Sequence, residues 1–137
     1  MKKLTRLITH LSIVCALALP FLPATSRAAD LSAHDKQFLA GYEQIRAALA
    51  KDDLSAAQKA AAALADAGTA VAKSQSLDQA RAAFAKLSDQ AIHLAAGQSS
   101  LHVLHCDMAN KDWVQTSVVV GNPYLGKEMA GCGELKK

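Results

Sequence analysis

The chain of 137 residues contains only three cysteines and no Cys-x-x-Cys pair. Without that pair, a thioredoxin-like redox motif and a covalent haem motif are both excluded. The paired Cys or His spacing of a zinc site is also absent. No Ser/His/Asp or Cys/His/Asn set for nucleophilic catalysis is visible, and Glu43, Glu128 and Glu134 have no evident partner. The sequence therefore does not predict an enzyme.

The chain also lacks an apolar run that is long enough to cross a membrane. The run from Leu7 to Leu22 contains His10 and Pro20, whereas a spanning helix needs about 20 apolar residues. A positively charged segment precedes this run, and the small residues Ser26 and Ala28 follow it. This order is typical of a secretory signal peptide, and we expect cleavage after Ala28.

Removal of the signal peptide, residues 1–28, changes the charge of the chain. The full sequence has 15 Lys/Arg against 12 Asp/Glu, a formal charge of +3. Four of those basic residues lie in the signal peptide, so residues 29–137 keep 11 Lys/Arg against 12 Asp/Glu and are formally −1. No basic patch remains for nucleic acid or for a membrane surface. The Lys-Lys start is typical of bacteria, so we predict a single domain located in the periplasm.

Alanine dominates residues 30–97, which hold 22 alanines and neither proline nor cysteine. Because alanine is the strongest helix former, we expect this part to be helical almost throughout. Ser32 and Ser76 stand at capping-box positions, and Gly97 is a C-terminal stop signal. The apolar spacing predicts three helices at approximately 32–49, 54–67 and 77–96. Three helices joined by short turns indicate a mainly α fold, an antiparallel helical bundle.

The last part of the chain, about 99–137, differs in composition and predicts a short β and loop module. Two β-prone runs, 101–106 and 118–120, are expected to be strands, and the turn residues lie at 110–112 and 121–123. Trp113 and Tyr124 are expected to anchor this module by packing.

Cysteine and methionine are concentrated in this module. Every Cys and Met after residue 28 lies in one of two pairs, Cys106-x-Met108 and Met129-x-x-Cys132. Positions two apart in an extended segment, or three apart on a helical turn, point to one face. Each pair can therefore share one ligand sphere. Two thiolates and two thioethers suit a soft ion, Cu(I) above all and Ag(I) as the second choice.

His105 and His102 are borderline donors beside the first pair. Imidazole binds copper in both oxidation states. In a regular strand, however, His105 points away from Cys106, and His102 is four residues distant from it. We keep His105 as a candidate ligand that requires a bend in the chain, and His102 as a weaker one.

The two cysteines also allow a different interpretation, a structural disulfide between Cys106 and Cys132. Small exported domains commonly contain disulfides, and an alanine-rich core buries little apolar surface per residue. Closing a loop of about 26 residues would contribute roughly 3.5 kcal/mol in the chain-entropy model. The chain would then be a disulfide-stapled interaction domain that docks on an envelope protein without metal. The residues alone leave both interpretations open.

Several short segments together form a recognisable pattern: His-Cys-Asp-Met-Ala at 105–109, Trp113, Asn-Pro-Tyr-Leu-Gly-Lys at 122–127, Met-Ala-Gly-Cys-Gly-Glu at 129–134, and a helical run at 82–88. This pattern resembles the bacterial exported domains catalogued as domain of unknown function 3347, and the resemblance covers essentially the whole mature chain. Asp107 stands where that family usually has proline, and Leu125 where it usually has an aromatic residue. Neither departure removes a ligand.

Members of this family occur alone or fused to periplasmic adaptor proteins of heavy-metal efflux pumps. The resemblance therefore implies a role near copper, as a chaperone, a buffer or an efflux accessory, with an adaptor protein as partner. It implies a ligand set of Cys106, Met108, Met129 and Cys132. It also implies that the turn Asn122-Pro123-Tyr124 presents the second pair.

Overall fold

The computed structural model describes residues 30–136, so the predicted signal peptide lies outside the described residues. The helices within this range are α1 (Ala33–Leu49), α2 (Leu54–Ala62), α3 (Thr69–Ala72) and α4 (Leu77–Ala95), with 3-10 helices at Ala65–Gly68 and Gly126–Met129. The strands are β1 (His102–Cys106), β2 (Lys111–Gln115) and β3 (Glu134–Leu135). None of the described helices is both long and apolar enough to span a membrane.

The three predicted helix starts are confirmed, and each has a side-chain cap. The oxygens of Ser32, Asp53 and Ser76 accept hydrogen bonds from the backbone N–H three residues further on, at 3.1, 2.9 and 3.2 Å. Such bonds satisfy N–H groups that have no partner within the helix. Gly97, with a φ of 76°, follows the end of α4 as expected, because this left-handed conformation suits glycine.

The second predicted helix is shorter than expected. α2 ends at Ala62, and Ala65 has a positive φ of 49°, which breaks the regular helix. Gly68 then packs so closely on α2 that a Cβ there would overlap the Ala61 carbonyl oxygen. The prediction of a mainly α fold is confirmed. Within residues 30–136 there are four α-helices where three were predicted, however, and a three-helix bundle is not confirmed.

The main core lies between the helices and one face of the sheet. α1 packs against α2 and α4, and α4 packs against β2. The large buried side chains of this core include Phe38, Tyr42, Ile45, Leu49, Phe84 and Val114. Fully buried alanines on α2 and α4, among them Ala57 and Ala80, allow the helices to approach closely.

The sheet has the strand order β2-β1-β3, and both pairings are antiparallel. β1 confirms the strand predicted at 101–106. The strand predicted at 118–120 is wrong, because Val118 and Val119 are exposed in a loop. The second strand is instead β2, whose first residues had been predicted as a turn. Trp113 of β2 pairs directly with Leu104 of β1, and this buried cross-strand pair outweighs the local β propensity of the valines.

The other face of the sheet is covered by the C-terminal loop, residues 116–133. Leu104, Cys106 and Trp113 form a second cluster there with apolar side chains of the loop. Two buried or half-buried arginines hold the loop to the helices: Arg46 donates to the Gly121 carbonyl at 2.6 Å, and Arg81 to the Pro123 carbonyl at 2.9 Å. Trp113 is fully buried and Tyr124 donates to Ser88 Oγ at 2.9 Å, so both predicted anchors pack as expected.

Candidate functional site

Cys106 is the last residue of β1, and its side chain lies on the sheet face that the C-terminal loop covers. It is only 1% exposed and packs beside Leu104 and Trp113. Alternate residues of a strand point to opposite faces, so the pairing of β1 with β2 directs Cys106 away from the helical core. The sheet therefore fixes the first candidate ligand rigidly.

Cys132 belongs to the C-terminal loop and reaches Cys106 from the opposite side of the module. Its backbone N–H donates to the Met129 carbonyl at 2.9 Å, and its carbonyl accepts from Asn122 Nδ2 at 2.8 Å. The Cys132 side chain packs against the cluster of Leu104, Cys106 and Trp113. Both cysteines are free thiols in the structure. The fold thus brings the two predicted cysteine ligands into one cluster.

The surroundings of Cys106 favour its thiolate form. Burial raises the pKa of the Cys106 thiol, but hydrogen bonds outweigh burial and hold this pKa below its ordinary value. The donors are the Cys132 thiol, the Asn122 side chain and the backbone N–H groups of Ala109 and Met108. The pKa of Cys132 is raised, because its thiol donates to Cys106 and is itself partly desolvated. Of the two sulfurs, Cys106 carries the negative charge first.

Met108 lies in the turn between β1 and β2, and its side chain is 67% exposed. It borders a shallow cavity of about 260 Å³, which is lined by His105, Cys106, Asp107, Met108, Cys132, Gly133 and Glu134. Three of the four predicted sulfur ligands therefore meet at one opening on the surface.

Met129, the fourth predicted sulfur ligand, is not among the residues that line this cavity. It ends the 3-10 helix Gly126–Met129, and its side chain is 37% exposed. Its carbonyl accepts the Cys132 N–H, so Met129 shapes the backbone at Cys132. Met129 therefore lies outside the lining of the cavity that the other three sulfur-containing residues share.

His105 borders the cavity, but both of its ring nitrogens face carboxylates. Nδ1 lies 2.6 Å from Asp112 Oδ1, and Nε2 lies 3.0 Å from Asp107 Oδ1. The hydrogen bond with Asp112, followed by that with Asp107, raises the pKa of His105 above its ordinary value. His102 pairs with Gln115 on the sheet and does not line the cavity. While this arrangement stands, neither histidine offers a free nitrogen at the cysteine pair.

Asn122 is a residue of the site whose contacts could not be read from the sequence. The Asn-Pro-Tyr segment indicated a turn, and the Asn122 oxygen does accept from Tyr124 N and Leu125 N at 2.7 and 3.1 Å. The Asn122 amide nitrogen also donates to the Cys132 carbonyl at 2.8 Å. Only the folded loop creates this second contact.

Within residues 30–136, no group of three or more His, Cys, Asp or Glu side chains is arranged to hold a metal ion. A metal site at the cysteine pair would therefore depend on the thioether of Met108 as its third protein donor. Comparison of the chain with protein-family models, with curated proteins and with solved structures found no match. The resemblance in the sequence pattern accordingly stays a prediction.

Proposed function

We propose that this protein binds Cu(I), with Ag(I) as a second ion, through the sulfurs of Cys106, Cys132 and Met108. The observation that carries the proposal is that Cys106, Cys132 and Met108 line one cavity, where Cys132 packs against the cluster that contains Cys106. Thiolate and thioether are soft donors, and a set made of them alone suits a soft monovalent ion. The sequence predicted four sulfur ligands, and the set proposed here keeps three of them and omits Met129.

The protonation of the site supports this choice of ion. A cysteine must be deprotonated to bind metal, and the surroundings of Cys106 lower its pKa. Harder or borderline ions prefer imidazole and carboxylate, but both nitrogens of the nearby His105 are held by Asp107 and Asp112. The donors left free at the cavity are therefore mainly soft ones.

The openness of the site supports a role in carrying the ion. Met108 is largely exposed at the mouth of the cavity, and Cys132 is half-buried. A partner protein could therefore reach the ion and accept it by ligand exchange. We propose a periplasmic chaperone, buffer or accessory of a heavy-metal efflux adaptor, exported after removal of residues 1–28, and not an enzyme.

The experiment that tests this function is an anaerobic competition assay between the reduced protein and a chromogenic Cu(I) chelator. We expect about one Cu(I) per chain, and a more than tenfold weaker affinity, or about 1.4 kcal/mol, in Cys106→Ser and in Cys132→Ser. Helicity measured by circular dichroism controls for folding, since the helices contain no cysteine. Unchanged Cu(I) uptake in the double serine variant would refute the proposal.

The second candidate function is a disulfide-stapled interaction domain on an envelope protein. The packing of Cys132 against the cluster that contains Cys106 favours it, because a disulfide requires two cysteines that the fold brings close together. The helical core, rich in small alanines, would gain stability from such a bond. Melting experiments on oxidised and reduced protein, described in the Discussion, separate the two functions.

A further inference from the structure

We propose that Asp107 is a specificity-determining residue of the metal site, because its carboxylate occupies the His105 nitrogen that lies toward the cysteine cavity. This name denotes the cavity lined by Cys106, Cys132 and Met108. By keeping the imidazole from the sulfurs, Asp107 reserves the site for soft ions and acts against Zn(II). The inference rests on the proposed function, since it names the residue that selects the ion at the same cavity.

The imidazole of His105 is fixed at Nδ1 by the neighbouring strand. His105 and Asp112 are direct partners on β1 and β2, and Nδ1 lies 2.6 Å from Asp112 Oδ1. Asp112 is held in turn, because its second oxygen, Oδ2, accepts from Lys136 Nζ at 2.6 Å. Histidines that bind metal typically donate their other ring N–H to a carboxylate in the same way. His105 is therefore oriented like a metal ligand whose binding atom is Nε2.

The Nε2 nitrogen lies on the side of the cysteine cavity, and Asp107 occupies it. Asp107 Oδ1 is 3.0 Å from Nε2, and Asp107 lines the cysteine cavity together with His105. Asp112, the partner of Nδ1, lines a different cavity of about 300 Å³ against α4. An ionised carboxylate only accepts hydrogen bonds, so Nε2 acts as a donor here and has no lone pair for an ion. Asp107 therefore blocks the nitrogen that His105 would offer to the cysteine pair.

This block changes which ions the cysteine cavity suits. With His105 occupied, the donors are two cysteine sulfurs and one thioether, a set that suits Cu(I). With Nε2 released, the cavity would offer two cysteines and one imidazole. Zinc sites in proteins are typically built from such Cys and His ligands, and water can fill a fourth position. One carboxylate in the turn after β1 thus separates a soft site from a zinc site.

The variant Asp107→Ala tests the block, because the Asp107 side chain is 92% exposed in the turn between β1 and β2. Asp107→Ser is a second variant, since its side chain is shorter and carries no carboxylate. Removing a carboxylate ordinarily weakens the binding of a nearby cation. A gain of Zn(II) affinity on losing Asp107 would therefore not come from the change of charge. The matched control is Asp89→Ala, which removes an exposed aspartate that lines the cavity against α4.

The experiment measures the Zn(II) affinity of the reduced full chain by anaerobic competition with a chromogenic zinc chelator. We expect Asp107→Ala and Asp107→Ser to bind Zn(II) about tenfold more tightly than wild type, since a hydrogen bond to a charged group shifts an equilibrium by roughly this factor. The gain should disappear in Asp107→Ala/His105→Gln, which lacks the released imidazole. It should shrink in Asp107→Ala/Asp112→Ala, where the imidazole is no longer oriented. Asp89→Ala should keep the wild-type affinity.

Several results would overturn the inference. One is a Zn(II) affinity that is unchanged or lower in the folded Asp107 variants. Another is a gain that survives the additional change His105→Gln, and a third is an equal gain in Asp89→Ala. Loss of helicity in both Asp107→Ala and Asp107→Ser would assign the residue to folding and overturn the inference as well.

The use of two ions distinguishes this inference from the proposed function. If the wild-type protein binds no Cu(I), the proposed function fails, while a His105-dependent gain of Zn(II) affinity in Asp107→Ala still supports the block by Asp107. If the wild-type protein binds Cu(I) and neither Asp107 variant gains Zn(II) affinity, the proposed function stands and the specificity role of Asp107 is refuted.

Discussion

His105 and Asp112 lie directly opposite each other on β1 and β2, and His105 Nδ1 is 2.6 Å from Asp112 Oδ1. Asp107 approaches the other ring nitrogen at 3.0 Å, and Lys136 Nζ lies 2.6 Å from Asp112 Oδ2. These charges connect β1, the turn after it, β2 and the residue after β3. An imidazole with a carboxylate at each nitrogen is stabilised in its protonated form.

The first prediction concerns the pH dependence of stability. Because the pKa of His105 is raised in the folded state, its stabilising effect is complete below the unfolded value of about 6.5 and is lost as pH rises through the higher folded-state pKa. The difference in thermal midpoint between wild type and His105→Gln should therefore be larger at pH 6 than at pH 9. His93→Gln, on the exposed face of α4, serves as the control. A difference that does not change with pH would show that the carboxylate contacts of His105 do not contribute.

The second prediction compares the two methionines. Met108→Leu should weaken Cu(I) binding, because Met108 lines the cavity with both cysteines. Met129→Leu should leave it unchanged, because Met129 does not line that cavity. Leucine has nearly the volume of methionine, so the pair isolates the thioether. The assay is the same chelator competition, and a larger loss in Met129→Leu would show that the C-terminal loop rearranges around the ion.

The third prediction separates metal binding from a structural disulfide. For the metal site, Cu(I) added to the reduced protein should raise the melting midpoint, because the ion binds only the native state. For the disulfide, oxidation alone should raise it, and at roughly 4–8 °C per kcal/mol even a small gain is measurable. Circular dichroism would follow oxidised, reduced and reduced Cu(I)-loaded samples. If reduction lowers the melting midpoint and added Cu(I) does not raise it again, the protein is a disulfide-stapled interaction domain and not a Cu(I)-binding protein.

The fourth prediction tests how the C-terminal loop is held against the helices. Gly126 has a φ of 65°, and a Cβ there would overlap the Asp52 carboxylate, which pairs with Arg81. Gly126→Ala should therefore destabilise the protein by more than about 1 kcal/mol, which urea unfolding would measure. The control is Gly131→Ala in the same loop, where no atom lies within 4 Å of the added Cβ. Equal midpoints for the two variants would contradict the role of Gly126.

The helix starts could be predicted because the interactions that define them are local. The side-chain oxygens of Ser32 and Ser76 accept hydrogen bonds from N–H groups only three residues away. A motif of this short spacing can be read directly from the sequence. The end of α2 could not be predicted in the same way. After α2 the positive φ of Ala65 redirects the chain and Gly68 packs closely on Ala61, a contact that exists only after the chain has turned back on itself.

The position of the second strand also could not be predicted from local sequence. The valines at 118–120 have high local β propensity, yet Val118 and Val119 remain exposed in a loop. β2 forms instead because its side chains find partners on both faces of the sheet: Val114 enters the helical core, and Trp113 packs with Leu104. Strand propensity depends strongly on such contacts, and no window of sequence contains them.

For the candidate site, the sequence by itself determined the set of donors: two cysteines, two methionines and a histidine, all within one short module. Only the tertiary structure decided which of them meet. It places Cys132 against Cys106 with Met108 beside them, leaves Met129 outside the cavity, and holds His105 between two carboxylates. The physical reason is that residue spacing fixes which side chains share a face of one strand or turn. The contact between a strand and a distant loop depends instead on packing that exists only in the folded chain, such as that of Cys132 against the cluster of Leu104, Cys106 and Trp113.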